Sequence, residues 1–435
     1  MLSKNEIMNP IVLIATTSCW YPTARLAMAL ASAGCKVEMV CPKSHPVRKT
    51  KVVRRTHVYR GLAPLTSFAR AIAITQPDFI VSGDDLATQH LHRLHAREKR
   101  NGRAESPICA LIERSLGAPE SFSVVNARAA FMDLAHQEGL RVPPTRVIRN
   151  IDDLRTWVAC TGLPTVLKAD GTSGGDGVRI AYTPTEAERF FKELQAPPLL
   201  ARAGKRALVD QDKTLVWPSI LRRRSVVNAQ AFVAGREATS AVVCWKGAVL
   251  AGLHFEVVNK ASSAGHATVL RVIENSEMST AVEAMARRLS LSGLYGFDFM
   301  LEAETGNAYL VEINPRSTQV GHLSLGPGRD IPAALYAALS GKAVEEAPKI
   351  TEKDTIALFP QEWIRDTESP FLRLAYHDIP LEEPELIRDC VSNYQKQSAW
   401  YAKSVRKPVS SAPRPSQPMT APAKHRAVGL DWGRK

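Results

Sequence analysis

The 435-residue chain lacks any apolar run of the ~18 residues that a bilayer-spanning helix needs, and its first apolar stretch, Ile11–Ala15, is too short for the core of a secretion signal. Neither a membrane span nor a secretory leader is expected. Cysteine is sparse: seven residues, at 19, 35, 41, 109, 160, 244 and 390, form an odd set with no CxxC and no Cys/His pairing at zinc-finger spacing. That argues against a disulfide framework or a structural metal site, and a reducing, cytoplasmic compartment is the simplest expectation. No G-x-G-x-x-G follows the first strand candidate, where the chain reads Thr16 to Pro22, so a dinucleotide site has no support there. There is no internal repeat. With 45% apolar and 23% charged residues, the composition excludes wholesale disorder, a collagen-like repeat and a continuous coiled coil, and the length allows about three domains of ~150 residues.

Acidic residues are scarce mainly at one end. The formal net charge is +13, yet residues 401–435 hold eight Lys or Arg against the single acid Asp431. The remaining excess is too small to argue for a nucleic-acid-binding body. Lys403, Arg406, Lys407, Arg414, Lys424, Arg426, Arg434 and Lys435 sit among Pro, Ser and Ala, a composition that reads as a disordered tail. A solvated extension is the plainer reading of it, and electrostatic attachment to nucleic acid or an anionic membrane is the alternative.

What is present reads first as an open α/β layer. A buried strand at Ile11–Ala15, a helix over 23–33 stopped by Gly34, a strand over 36–40 and another over 78–81 predict a parallel sheet within about the first 115 residues. Its ligand-facing loops should follow the strands, at Ser18 to Tyr21 and Ser82 to Asp85. A helix over 126–139, a Val142-Pro-Pro144 break and strands near 145–148, 229–233, 241–245, 296–301 and 308–313 predict an α+β region with hairpins, with a boundary near residue 120. Residues 343–406 carry no readable motif. The expected organisation is 1–120, 121–342 with a hinge near 229–237, 343–406, and the tail 407–435.

Two segments carry chemistry. Between strand-like runs, Gly171, Thr172, Ser173, Gly174, Gly175 and Gly177 form a loop whose backbone N–H groups can converge on phosphate oxygens, with Lys168 adding a point charge from the preceding strand. It is not a Walker A loop, because GK[ST] is missing and a strand follows; a flexible hairpin tip is the competing reading. Further on, Phe297-Asp-Phe-Met-Leu301 and Ala308-Tyr-Leu-Val-Glu-Ile-Asn-Pro-Arg316 read as an antiparallel hairpin. A turn centred on Thr305 makes residues whose numbers sum to 610 face each other. Asp298 then meets Glu312, with Asn314 and Arg316 further along the same face. Facing carboxylates repel unless a cation lies between them, and an all-oxygen set suits Mg²⁺ or Mn²⁺. An exposed acidic hairpin is the alternative, against which Phe297, Phe299, Val311 and Ile313 alternate as a core face.

A Gly-rich hairpin with a lysine, followed ~130 residues later by this acidic hairpin, resembles the ATP-grasp superfamily, to which carbamoyl-phosphate synthetase, biotin carboxylase and D-alanine:D-alanine ligase belong. The resemblance covers roughly residues 121–330, and the opening α/β unit looks like the Rossmann-like domain that precedes such folds. It implies a two-subdomain ATP-grasp fold using ATP and Mg²⁺. By the same resemblance Arg128 and Lys168 hold the phosphates, main-chain groups across Gln230, Ala231, Phe232 and Val233 read adenine, and Glu237 binds the ribose. Asp298, Glu312 and Asn314 would hold the metal, and Arg316 would lie against the transferred group, so that Arg316 and Lys168 are the catalytic candidates.

The implied reaction makes an acyl phosphate from a small-molecule carboxylate for capture by an amine or other nucleophile. A kinase or phosphotransferase on the same site and a non-catalytic ATP-binding regulatory module are the alternatives. Partners are small molecules, nucleic acid is not expected, and a homodimer stays open. His254, Glu256, His266 and His322 are acceptor-pocket candidates, though a lone His is more often structural. The basic run Arg48 to Arg55 is either an anion contact or a solvated face. Removal of residues 407–435 is expected to leave ATP turnover intact, read as the rate of ADP release; a large loss would give the tail a working role.

Overall fold

The computed structural model describes residues 9–171, 177–196, 225–262, 265–343 and 348–405, the stretch 395–405 as backbone only. The tail 407–435 and Thr172, Ser173, Gly174 and Gly175 of the glycine loop lie outside the described residues. The chain divides into a unit Met1–Val391 and a unit Ser392–Lys435. Among the described residues no helix is long and apolar enough to cross a membrane.

The first sheet is all parallel. Strands β1 (Ile11–Ala15), β2 (Lys36–Cys41), β3 (Arg55–Val58) and β4 (Phe79–Ser82) lie in the order β3-β2-β1-β4. The two-residue period of β1 splits its side chains between two cores. Leu13 packs with Phe68, Leu91 and Ile112, whereas Val12 and Ile14 join Leu26, Phe255 and Leu335. Helix α1 (Tyr21–Ser32) starts two residues before the predicted 23, because Pro22 is tolerated in a first turn whose N–H groups lack helical partners anyway. Helix α2 (Pro64–Thr75) follows β3, and α3 (Asp85–Arg100) follows β4 directly, capped by the Asp84 carboxylate on the Ala87 N–H.

The second sheet is antiparallel, β5 (Thr145–Ile148), β6 (Thr165–Ala169), β7 (Val178–Ala181) and β8 (Val227–Ala231) in the order β5-β8-β6-β7. Helices Ile151–Thr161 and Pro184–Gln195 cover it through Leu154, Trp157 and Phe191. The third sheet has seven strands: β9 (Gly235–Trp245), β10 (Ala248–Lys260), β11 (Ala267–Val272), β12 (Gly293–Glu302), β13 (Ala308–Asn314), β14 (Thr355–Ala357) and β15 (Tyr376–His377), ordered β13-β12-β9-β10-β11-β14-β15. Phe131 and Met132 of helix Arg128–Gln137 and Met278 and Met285 of helix Ser276–Arg288 pack on its Phe297, Phe299 and Leu310.

Two expectations shift. The strand expected over 229–233 ends at Ala231, and β9 starts at Gly235 instead of 241, so only residues 232–234 join the second sheet to the third. Arg236, Glu237 and Thr239 hid the first half of β9 by breaking its apolar pattern, although that half pairs with β12 throughout. The motif-free segment 343–406 supplies β14 and β15 to the edge of the large sheet.

Burial keeps several histidines neutral. His45, His90 and His254 are pushed down to about 3, 4 and 4 by burial, reinforced by Arg48, Arg93 and Arg329 respectively. The unfolded chain protonates these groups near pH ~6.5 while the folded one resists, so stability is full above that pH and falls below it. Each histidine is expected to remove about 1.4 kcal/mol per pH unit between roughly 6.5 and its folded value. Urea midpoints measured at pH 7, 6 and 5 should decline in that order, and a flat profile would contradict the buried neutral histidines.

Candidate active site

The β12/β13 hairpin sets the centre of the site. Asp298 pairs with Glu312 and Gly296 with Asn314, both sums being 610, but beyond Asp298 the register steps to Phe299 with Leu310. A bulge at Val311 therefore offsets a turn half a residue tighter than one centred on Thr305, and the two carboxylates still face each other. Thr239 donates its hydroxyl to Asp298 Oδ1 (2.8 Å) and Asn314 its amide to Oδ2 (2.9 Å).

Helix Arg128–Gln137 begins where its first side chain reaches the hairpin. Arg128 donates to Glu312 Oε1 at 2.8 Å, to the Ala169 carbonyl at 2.7 Å and to Asp170 Oδ1 at 3.2 Å, and so ties the end of β6 to β13. Lys168, buried on β6, completes the positive lining. Burial lowers its pKa, aided by Arg128 and opposed by Glu312, Asp298 and Glu237. Burial raises Glu312, but Arg128 and Lys168 outweigh it and hold the carboxyl below its ordinary value. Asp298 goes the other way, raised by burial and by the charge of Glu312. One carboxylate is firmly ionised and its opposite resists ionisation, an imbalance that a divalent cation between them would relieve. The donor set fits Mg²⁺, with the Asn314 oxygen here turned to an Arg316 terminal nitrogen at 3.4 Å.

These groups line a single cavity of about 1180 Å³ together with Gln230, Ala231, Phe232, Val233, Glu237 and Arg316. Gln230 is buried, its amide donating to Thr145 Oγ1 at 3.0 Å, which leaves the main chain beyond it to face the cavity. Glu237 pairs with Lys260 at 2.5 Å. Gly171 takes the left-handed φ of +74° that opens the glycine loop, and the Gly177 carbonyl closes its other side on the Ala169 N–H at 2.9 Å.

Sequence reasoning missed Asp170 and Asn228, whose amide donates to Asp170 at 2.9 Å behind Arg128. Asp170 was within reach of it, lying two residues after Lys168 at the mouth of the glycine cluster. Of the acceptor-pocket candidates only His266 lines the cavity. His254 bonds Ser240 and Ser279 beside a separate cavity of about 300 Å³, Glu256 pairs with Arg236, and His322 pairs with Asp378, which Arg25 also holds. Each is removed from the pocket by its own partner. The loops Thr17 to Trp20 and Asp84 to Asp85 do line it, as ligand-facing loops after β1 and β4 should. The basic run stays on the outside: Arg48, Lys49, Lys51, Arg54 and Arg55 are exposed, and the Lys51 N–H donates to Glu383.

Residues 161–320 match the family profile of the ATP-grasp domain. The chain is 22% identical over 233 residues to the carbamoyl phosphate synthase large chain of Ralstonia nicotianae, covering 52% of this chain and 20% of that one. Against the Xylella fastidiosa large chain it is 24% identical over 283 residues, 62% of this chain and 23% of that one. It thus spans about a fifth of the length of these curated relatives. Among solved structures it is similar to the biotin carboxylase domain of the Hydrogenobacter thermophilus 2-oxoglutarate carboxylase, in complex with MgADP, ADP and bicarbonate (TM-score 0.54, 14% identity, 77% of this chain and 70% of that one). It is similar also to the L-amino acid ligase of Bacillus licheniformis (TM-score 0.53, 14% identity, 80% and 79%). At these identities the likeness shows the fold.

The link from β8 to β9 leaves no room at its end. A Cβ on Gly235 would lie 2.0 Å from the Leu301 carbonyl oxygen, so Gly235→Ala must displace backbone. A loss of about 1–3 kcal/mol is expected from such overpacking, read as a lower denaturant midpoint, and an unchanged midpoint would contradict this packing.

Proposed function

We propose that the protein is an ATP- and Mg²⁺-dependent ligase that activates a small-molecule carboxylate as an acyl phosphate for attack by an amine or other nucleophile. In this reading residues 1–120 are the pre-ATP-grasp domain and 121–342 the ATP-grasp domain. The observation that carries it is the pairing of Asp298 with Glu312 across the hairpin, facing Arg128 and Lys168 in one cavity. A bound Mg²⁺ would hold nucleotide phosphates and neutralise their charge, and Asp298, Glu312 and Asn314 are the residues that would hold it.

The chain's own groups do the rest. Arg128 and Lys168 neutralise phosphate oxygens, the main chain at 231–233 and Glu237 seat the nucleoside, and Arg316 faces the transferred group. Phosphoryl transfer asks for in-line placement and dispersed positive charge more than for a covalent enzyme nucleophile, and these residues supply both. The glycine loop, mounted between Gly171 and Gly177, serves in this reading as the cover that keeps water from the acyl phosphate.

Pooled carboxylates with MgATP and hydroxylamine test the reading. Carboxylate-dependent ADP release together with a hydroxamate, both lost in Glu312→Gln, is the expected result. ADP release without hydroxamate points to the kinase alternative, ATP binding without turnover in any pool leaves an unsampled substrate, a kinase or a regulatory module, and no ATP binding at all overturns the reading.

A further inference from the structure

Resting on the proposed transfer of the terminal phosphate of ATP, we infer that Asp85 is a positioning residue that holds Arg316 toward that phosphate, so that the parallel sheet completes the reaction cleft. The corner between β4 and α3 grips the chain on both sides of Arg316. The Ser82 carbonyl accepts the Ser317 N–H at 2.9 Å, and the Thr88 hydroxyl donates to the Pro315 carbonyl at 2.6 Å. Between these anchors Asp85 Oδ2 accepts Arg316 Nε–H at 3.1 Å, and Trp20 lies against the guanidinium, 5.3 Å from carbon to ring centre.

The neighbouring carboxylate has a different job. Asp84 accepts from the Thr16 hydroxyl (2.6 Å), the Thr17 N–H (2.6 Å), the Thr17 hydroxyl (2.9 Å) and the Ala87 N–H (2.8 Å), which locks the loop after β1 to the loop after β4. Both carboxylates line the cleft, but with its lone pairs taken Asp84 is a brace, and Asp85 is the one that meets Arg316.

Arg316 spends one N–H on Asp85, one on the Ser317 carbonyl (3.1 Å) and one, at 3.4 Å, on Asn314. A guanidinium has about five N–H donors, so both terminal nitrogens keep one for a ligand. Anchoring through Nε fixes the plane of the fork while leaving its outer edge open, the orientation that bidentate recognition of phosphate requires. Left unanchored, a long side chain would have to be ordered by the ligand itself.

A calorimetric double-mutant cycle on the full chain tests this, with the non-hydrolysable β,γ-methylene analogue of ATP and with ADP, both in Mg²⁺. The readout is the ratio of the two affinities. Asp85→Asn and Arg316→Ala are each expected to lower the preference for the triphosphate roughly tenfold, the scale of one charge-assisted hydrogen bond, with ADP affinity unchanged. The double variant should be no worse than Arg316→Ala alone. A merely structural role for Asp85 at the start of α3 would weaken both nucleotides alike. Asp85→Glu, which keeps the charge, should hold an intermediate ratio and serves if Asp85→Asn does not fold. An unchanged ratio in the Asp85 variants, or an Asp85 effect that persists without Arg316, overturns the inference alone. Failure of the unmodified protein to bind either nucleotide overturns the ligase reading as well.

Discussion

Two carboxylates face each other across an antiparallel hairpin, and the surrounding charges answer that repulsion. Asp298 and Glu312 cannot both ionise comfortably at this register, so the cavity is furnished with Arg128 and Lys168 from the second sheet and its approach, with Arg316 on the hairpin's own extension, and with Thr239 and Asn314 as donors. Arg128 does double duty. In bonding Glu312, Asp170 and the Ala169 carbonyl together it joins the second sheet to the third.

The parallel sheet meets the same centre from the other side. Its β4–α3 corner holds Pro315 and Ser317 by their main chain, and Asp85 holds Arg316 by its side chain. The exit of the β12/β13 hairpin is thus shaped by residues more than two hundred positions earlier, and the large sheet is extended at its far edge by strands from the last part of the unit.

Legibility followed the range of each interaction. The hairpin could be read because its partners are about fourteen residues apart and alternate with a core face; even the bulge at Val311 did no harm, since it and the tighter turn offset each other. Lys168 was legible as part of a local pattern, whereas residues 172–176 of the glycine cluster beside it lie outside the described residues. The braces were not: Asp85 for Arg316, Asn228 behind Arg128 and Thr239 on Asp298 are set by tertiary approach, which nothing local at a helix start or on a strand announces, and of these supports Asp170 alone, beside the glycine cluster, was within local reach. The first half of β9 was lost because cleft-facing polar residues imitate a loop, and β14 and β15 because three and two residues are too few to show a period. The three misassigned pocket candidates, His254, Glu256 and His322, were chosen by nearness in sequence to the motifs, which says nothing of the direction a side chain takes.

The second sheet hangs from the rest by two adjacent strands. The chain enters it at Pro144 and leaves at Ala231, the Ala231 N–H donates to the Pro144 carbonyl at 2.9 Å, and Thr145 pairs with Gln230. Among the described residues, its buried apolar core draws on residues between Ile148 and Ala231. The lobe is therefore a cassette with its own interior and touching ends, so the excursion can lengthen, shorten or diverge without unthreading the seven-stranded sheet.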